Sequence, residues 1–480
     1  MTSPRHVHFL GICGYAVSGA ALMAQQLGYT VTGSDEDAYP PTTDLLTAAG
    51  IAWENHHAPE NLDLLSTPEL VVVGNQVRPG NVEWEAAVAR GLPITSEAEF
   101  YAELTHDRLR IAVCGTHGKT TTAALAAWML ESAGMTPGFR LGTTSRDFAA
   151  SARLGEGAPF VFEGDEYTTA PWDSRPKFLH IHPQLACVTR LELDHPDVFP
   201  SFDAYRAPFV ELVRGMPREG TLLLCADDAE CLALAEHAAC RVETYGTGGA
   251  ADWTAAEVEA AAHPGDGSLL DQRFTIRGPD GVDVRVTLPL PGAHNRQNAT
   301  AALALATHAG ADPARCAAAC ADFRGPSRRF EIVGSVDGVA VVDDYAHHPT
   351  EVAATVGAAR ARFASVRHLI ALYVPHTYSR TLELLEQYAT SFTGADLVLL
   401  GPIEPARERH LAHTVSPEDV AVRVRHSAGD VRVVATPEEA ILVIAESAQR
   451  GDVVLCMSVR GFDDVARRTL AALEARHALR

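Results

Sequence analysis

Short apolar runs that end in glycine or small polar residues recur along the chain, and most are followed by a stretch with helical spacing. This alternation predicts an α/β protein whose helices connect parallel strands. Residues 7–10 read as a buried strand, followed by a glycine turn over Gly11–Gly19 and a helix running to Leu27. Residues 30–35 and 70–75 give the next two strands. Residues 111–114 form a strand that passes through Gly115-Thr116-His117-Gly118 into an alanine-rich helix ending near Ser132, with Gly134 just beyond. Two further apolar strands, 160–167 and 185–195, empty into acidic residues, the second also into His195. After the turn at 288–298 comes an alanine-rich helix over 299–309. Strands at 339–344, 369–374, 396–400 and 452–457 then accompany helical stretches at 382–393, 437–449 and 463–476.

Changes of composition at Asp107-Arg108 and at the arginine-rich turn 325–331 divide the chain into regions 1–106, 107–324 and 325–480. In the first, Asp35 follows the glycine turn by about 20 positions, the outline of a Rossmann-like βαβ unit. Ligands in such sheets bind at the carboxyl ends of the strands, so Gly11, Cys13, Gly14, Asp35 and Asn75 are candidates for one crevice. A nucleotide-sugar phosphate fits this outline as well as NAD does. The apolar run 9–23 is broken by Gly11, Gly14 and Gly19, so it reads as folded structure rather than a signal peptide.

The middle region carries the most specific signal. Gly115 and Gly118 let the backbone approach a phosphate, and the amides at the start of the following helix face the anion. Lys119 is placed to reach terminal phosphates and Thr120 to ligate Mg²⁺. Only Lys119 and Lys177 are lysines among the 39 basic residues. A compact ammonium at Lys119, where the chain elsewhere uses arginine, points to a function that a planar guanidinium does not serve. Glu163, Asp165, Glu166, Asp194 and His195 lie at strand ends where such a domain holds its metal. Asn295 and Asn298, one helical turn apart, are placed to address one ligand, or alternatively to cap the helix.

The net charge of −22 over 480 residues argues against wrapping nucleic acid or lying on an anionic membrane. No segment is long and apolar enough to span a membrane. Nine dispersed cysteines without a C-x-x-C pair fit a reducing cytoplasm. Cys316 and Cys320, four apart on a helical stretch, read as packing rather than as a metal pair.

G-T-H-G-K-T-T, E-G-D-E-Y, L-D-H, H-N-x-x-N, R-R-F-E and D-D-Y-A-H-H-P, in this order, resemble the Mur ligase family of peptidoglycan synthesis over essentially the whole chain. The resemblance implies three domains: a Rossmann-like UDP-sugar domain, a central P-loop ATPase domain and a C-terminal Rossmann-like domain that receives the amine. It implies ATP-driven amide formation on UDP-N-acetylmuramate, with Mg²⁺, in the cytoplasm, by a monomer or weak homodimer. By the same likeness Gly115, Thr116, His117, Gly118, Lys119, Thr120 and Thr121 hold the phosphates, and Thr120, Glu163 and His195 the metal. Asn295 and Asn298 match adenine contacts, while Arg329 and Asp344 match residues that close on ATP. Tyr345, His348, His376 and Arg380 match the surface that meets the incoming amine.

Gly11-Ile12-Cys13-Gly14, Tyr39-Pro40-Pro41, Gly74-Asn75 and the segments 151–156 and 173–178 resemble the branch that rejoins a salvaged murein tripeptide to the sugar nucleotide. Pro375-His376-Thr377-Tyr378-Ser379-Arg380 is more similar to the branch that adds L-alanine. Three further departures carry expectations of their own. Gly164 in place of alanine frees the backbone beside a ligand, Arg190 in place of asparagine alters metal affinity, and Lys177 pairs with either a substrate carboxylate or a protein one.

Overall fold

The computed structural model describes residues 5–36, 38, 42–196, 198–264, 266–406 and 408–478. Tyr39-Pro40-Pro41, one of the segments carrying the family likeness, lies outside them. The described residues form three large sheets of five, ten and six strands, which makes the protein α/β as its pattern predicts.

The first sheet is parallel throughout, with His6–Leu10 between Thr30–Ser34 and Leu70–Val73. Ala52–Glu54 and Ile94–Ser96 are its edges. Connections leave His6–Leu10 toward both sides, so a crevice opens at its carboxyl end. Gly11 turns there at φ +76°. Behind the sheet the buried Glu83 carboxylate takes hydrogen bonds from Ser34 Oγ at 2.8 Å, Asn61 Nδ2 at 3.1 Å and the Ala58 amide at 3.1 Å. His8 Nε2 lies 2.6 Å from it. Burial raises the Glu83 pKa, yet His57 and His8 outweigh it and hold the group at about 2.

The middle sheet has Leu109–Cys114 at its heart, between Leu185–Val188 and Pro159–Glu163, all parallel. The glycine turn and both acidic segments therefore emerge side by side. The helix Lys119–Ser132 is buried along most of its length and packs on Ala293–His308. Both helices are rich in alanine, which permits close approach of their backbones. That second helix begins six residues before the predicted start at 299. The strand predicted over 185–195 stops at Val188, and residues 189–195 follow an irregular path. A long antiparallel hairpin, Trp253–His263 with Asp266–Arg277, was not evident in the sequence because its outer half is exposed and lacks an apolar run.

The third sheet is parallel except for its edge strand Glu331–Val336. Val453–Met457 lies between Val339–Asp344 and Leu369–Tyr373. The loops after Asp344 and Tyr373 therefore open on one side. First and middle units share one continuous apolar core. The third has two clusters of its own, one on each face of its sheet.

Gly19 is not part of a turn but lies inside the helix Tyr15–Gln26, where a side chain would meet Ala152 Cβ at 2.5 Å across the first interface. The predicted reason for Gly164 is also corrected. A methyl group there would collide with Cys114 Sγ and press on the Val113 carbonyl at 3.1 Å, so glycine makes room for the cysteine and not for a ligand. Gly164→Ala is accordingly expected to destabilise the protein by about 1–3 kcal/mol. Thermal melts of Cys114→Ala/Gly164→Ala should recover most of that loss, and an uncompensated double variant would contradict this packing.

Candidate active site

The strand Leu109–Cys114 delivers the chain to Gly115 at φ +121° and Gly118 at φ +83°, conformations that side-chain-bearing residues rarely adopt. A Cβ on Gly118 would lie 2.5 Å from Asn298 Oδ1, and one on Gly115 would strike Thr189 Oγ1. Steric room and backbone handedness thus both require glycine. The Thr116 amide donates to the Arg190 carbonyl at 2.7 Å, while Thr116 Oγ1 donates to the Glu192 carbonyl at 2.9 Å. These bonds fix the loop against the next strand end.

Lys119 Nζ donates to Glu166 Oε1 at 3.0 Å and to the carbonyls of Gly115 and Thr116 at 2.6 and 3.0 Å. Burial disfavours its charge, but Glu166 and Glu163 outweigh that and raise its pKa. Thr120 Oγ1 donates to Glu163 Oε1 at 2.7 Å, and the Gly142 amide donates to Glu163 Oε2 at 2.5 Å. His195, at φ +53°, brings Nε2 to 3.2 Å from Glu166 Oε1. Thr120 with Glu163 offers two buried hard oxygens, the donor chemistry that suits Mg²⁺. Glu166, Asp194 and His195 form a second group whose ligand atoms lie within 4.8 Å of one another.

Beside the loop a cleft runs between the middle and third units. His117, Gly118, Thr120 and Thr121 line it together with Asn295, Asn298, Arg329 and Asp344. Asn298 Nδ2 donates to Asn295 Oδ1 at 3.0 Å, and Asn295 Nδ2 donates to the Pro291 carbonyl at 2.7 Å. Arg329 lies over the Tyr345 ring at 4.9 Å. Asp344 accepts from the amides of Phe330 at 2.6 Å and Ala346 at 2.7 Å, which holds the connecting turn in place. Burial lifts its pKa to about 6.

The third unit closes over the loop through charge. Arg380 Nε donates to Asp194 Oδ1 at 2.8 Å, and its Nη2 lies 3.2 Å from His195 Nδ1. Its Nη1 reaches His376 Nδ1 at 3.2 Å and the His376 carbonyl at 2.9 Å. Thr350 Oγ1 donates to Glu192 Oε1 at 2.9 Å. His348 begins the helix Pro349–Arg362, and its Nδ1 accepts from the Thr350 amide at 3.2 Å. The neutral ring must then carry its proton on Nε2, which is buried and has no hydrogen-bond partner among the described residues. Although His117, Glu192 and His348 cluster at metal-ligand range, a protonated Nε2 cannot ligate a metal, and the group reads as hydrogen-bonding machinery.

In the first unit, the Cys13 amide donates to Asp35 Oδ2 at 2.7 Å, and the Gly11 amide donates to the Ser34 carbonyl at 2.8 Å. The Gly74 amide donates to the Leu10 carbonyl at 2.9 Å, which sets Asn75 at the neighbouring strand end. The predicted crevice residues Gly11, Cys13, Gly14, Asp35 and Asn75 thus stand around adjacent strand ends.

One sequence-based expectation is corrected, and one alternative left open by the sequence is decided. Arg190 is half exposed and turns toward Asp228, 3.7 Å away in the cleft, instead of toward the carboxylates at Thr120. Lys177 is buried against Glu97 at 3.0 Å and Asp165 at 3.6 Å, so its partner carboxylates belong to the protein. Cys316 and Cys320 are buried, and their sulfurs donate to the carbonyls of Met129 at 3.8 Å and Cys316 at 3.4 Å. Glu192 and Glu351 do not stand out in the sequence. Their signals are faint: Glu192 stands two residues before Asp194-His195, and Glu351 three after His348 as the second half of a capping box.

Each of the three units matches a known family. Residues 6–108 match the family described as Mur ligase family, catalytic domain. Residues 113–306 match the Mur ligase middle domain, and 328–460 the Mur ligase, glutamate ligase domain. The chain is 37% identical to the UDP-N-acetylmuramate–L-alanine ligase of Roseiflexus sp. (strain RS-1), over 94% of this chain and 96% of that one. It is 35% identical to the UDP-N-acetylmuramate–L-alanyl-gamma-D-glutamyl-meso-2,6-diaminoheptandioate ligase of Escherichia coli K12, over 97% and 98% respectively. The crystal structure of a murein peptide ligase from Psychrobacter arcticus 273-4 superposes with a TM-score of 0.71 at 31% identity, covering 98% of both chains.

One consequence of the closing contacts is a pH dependence. His117 Nδ1 lies 3.1 Å from Glu351 Oε1 and its Nε2 lies 3.1 Å from Glu192 Oε2. Burial lowers the pKa of this imidazole, but the two carboxylates outweigh it and lift the value to about 9. Without Glu351 the group keeps Glu192, so its pKa falls only part of the way from about 9 toward about 6.5. The contact therefore contributes fully below about pH 6.5 and is lost as pH rises through about 9. The ligand-free protein should have a larger radius of gyration in small-angle scattering at about pH 10 than at about pH 6.5, and His117→Gln should remove the difference.

Proposed function

Because the chain belongs to the Mur ligase family and is thus an ATP-dependent ligase forming a C–N bond, we propose that it joins the tripeptide L-alanyl-γ-D-glutamyl-diamino acid to UDP-N-acetylmuramate in peptidoglycan recycling. The observation that carries this reading is the convergence of Lys119, Thr120, Glu163, Glu166 and His195 on the glycine loop that lines the cleft, with Arg380 of the third unit bonded to Asp194 beside them. The tripeptide is favoured by the segment 173–178 and by likeness to the E. coli and Psychrobacter ligases over nearly the whole chain. A UDP-sugar and ATP as substrates imply a cytoplasmic reaction.

The sugar nucleotide lies in the crevice of Gly11, Cys13, Gly14, Asp35 and Asn75, with its carboxylate directed at the phosphate loop. ATP lies in the cleft, its adenine against Asn295 and Asn298 and its phosphates on residues 115–121. Lys119 neutralises and orients the terminal phosphates while the sugar carboxylate attacks the γ-phosphorus, giving an acyl phosphate and ADP. Thr120 and Glu163 would hold Mg²⁺, with His195 as a further ligand from the neighbouring strand end, and the ion would supply further neutralisation of the phosphate charge. Because a phosphoryl group passes between two anions, catalysis is chiefly positioning and charge neutralisation. Arg329 and Asp344 draw the third domain onto the nucleotide. Tyr345, His348, His376 and Arg380 face the amine, which attacks the acyl carbon and releases phosphate. His348 serves there as a donor through Nε2–H.

Release of ADP, measured with ATP, Mg²⁺ and UDP-N-acetylmuramate, tests this reading when tripeptides with different third residues and L-alanine are offered separately. Turnover is expected with a tripeptide and not with L-alanine. Turnover with L-alanine alone would instead assign the chain to the alanine-adding reaction, which the stretch from Pro375 to Arg380 resembles. Lys119→Ala should lower kcat roughly 10²–10³-fold with whichever amine is used.

A further inference from the structure

Lys177 is one of two lysines in the chain, and the phosphate loop accounts for the other. It is 6% exposed, and Glu97, at 1% exposed, belongs to the helix Glu97–Leu104 of the first unit. The second Glu97 oxygen accepts from Arg140 Nη2 at 3.3 Å, and that guanidinium lies 3.9 Å from Asp165. Two cations and two carboxylates therefore alternate around a small buried site, with one of the four contributed across a domain boundary. Burial alone would raise the Glu97 pKa, but Lys177 and Arg140 outweigh it and keep the carboxylate charged.

The cluster is wired to the reaction centre through backbone. Arg140 Nη1 donates to the Glu163 carbonyl at 2.9 Å. The Lys177 amide donates to the Tyr167 carbonyl at 3.1 Å, and the Phe178 amide donates to the Asp165 carbonyl at 3.3 Å. These three bonds tie down both ends of the loop that presents Glu163 to Thr120 and Glu166 to Lys119. The same loop continues into the small hairpin Thr168–Ala170 with Asp173–Pro176. At its tip Trp172 meets Trp84, from the helix Val82–Ala89 of the first unit, with ring centroids 5.9 Å apart. Charge and aromatic contacts thus pin one segment of the middle domain to the first.

We propose that Glu97, Arg140, Asp165 and Lys177 form an interdomain clamp that seats the sugar-nucleotide domain against the Glu163–Glu166 loop, with Lys177 as its positioning residue. The clamp sets how far the sugar carboxylate lies from the phosphate loop, and in this respect it rests on the function proposed above. Arg140 occupies one side of the carboxylate pair with a planar fork, and Lys177 meets the pair from the other side as a compact ammonium. The clamp requires lysine at 177 in a chain that otherwise uses arginine. Removing it leaves the buried Glu97 and the partly buried Asp165 against one cation, an imbalance the interface relieves by opening.

The test compares Lys177→Met, Lys177→Arg, Glu97→Gln and Glu97→Gln/Lys177→Met. The near-ultraviolet circular dichroism of the Trp84–Trp172 pair reports the interface, and kcat, KM and the affinity for an ATP analogue report the site. Lys177→Met should lose the coupled tryptophan signal and roughly 10²-fold in kcat, the scale of a displacement of about 1 Å at the reacting atoms. Its affinity for the ATP analogue should stay within about twofold, since none of the four clamp residues lines the nucleotide cleft. Lys177→Arg should fail to rescue, whereas Glu97→Gln/Lys177→Met, which restores the charge balance, should recover the tryptophan signal. An unchanged tryptophan signal in Lys177→Met, or full activity in Lys177→Arg, would overturn the clamp. Should Lys177→Met not fold, Glu97→Gln decides on the same two readouts. Because the optical signal needs no turnover, it tests the clamp even where the proposed reaction fails.

Discussion

An ammonium buried without partners would cost several kcal/mol, and the largely buried Lys119 stands on the glycine loop proposed above to receive phosphates. Glu166, 3.0 Å away, supplies the compensating charge, and Glu163 adds to it from the side of Thr120. Those carboxylates then require counter-charges of their own. The electrostatics of the molecule follow outward from this one lysine, because each buried group that is satisfied leaves its partner to be satisfied by the next element. Arg140 and Lys177 complete the set on the first-domain side, and Arg380 with His195 on the side of the third.

The two domain contacts differ in kind. First and middle units share an apolar core, with Gly19 letting a helix settle onto Ala152, so their separation would expose apolar area. The third unit keeps its own core and meets the loop through Arg380–Asp194, Thr350–Glu192 and the His117 pair. Contacts made of charge and hydrogen bond can be exchanged for solvent or ligand at small net cost. Such a boundary suits a domain that must admit ATP and an amine and then exclude water.

Exclusion of water matters because an acyl phosphate hydrolyses if solvent reaches it. Arg380 performs two tasks by bridging Asp194 and His376: it holds the third domain down and fixes the imidazoles of His195 and His376 beside the loop. His348 is oriented by its own helix start, where the Thr350 amide dictates which ring nitrogen bears the proton. Ordinary rules of helix capping therefore assign this side chain its chemical role as a donor.

The sequence by itself determined the alternation of strands and helices, the phosphate loop and the strand ends on which its partners stand. These are local properties: an apolar run, a glycine that must adopt positive φ, and a small residue at a helix start. The grouping of Gly11, Asp35 and Asn75 was legible as well, because parallel sheets place ligands at strand ends irrespective of sequence distance. The tertiary structure alone decided where charge is spent. Lys177 could pair with a substrate or with Glu97, 80 positions earlier in the chain, and composition does not distinguish the two. Gly164 suggests ligand access until Cys114 Sγ is seen against it, and Arg190 suggests the metal until Asp228 draws it into the cleft. The long hairpin 253–277 escaped because its exposed half has no buried face to impose a period on the sequence. Ion pairing and close packing depend on which surfaces meet across domains, and that is fixed only when the three sheets are assembled.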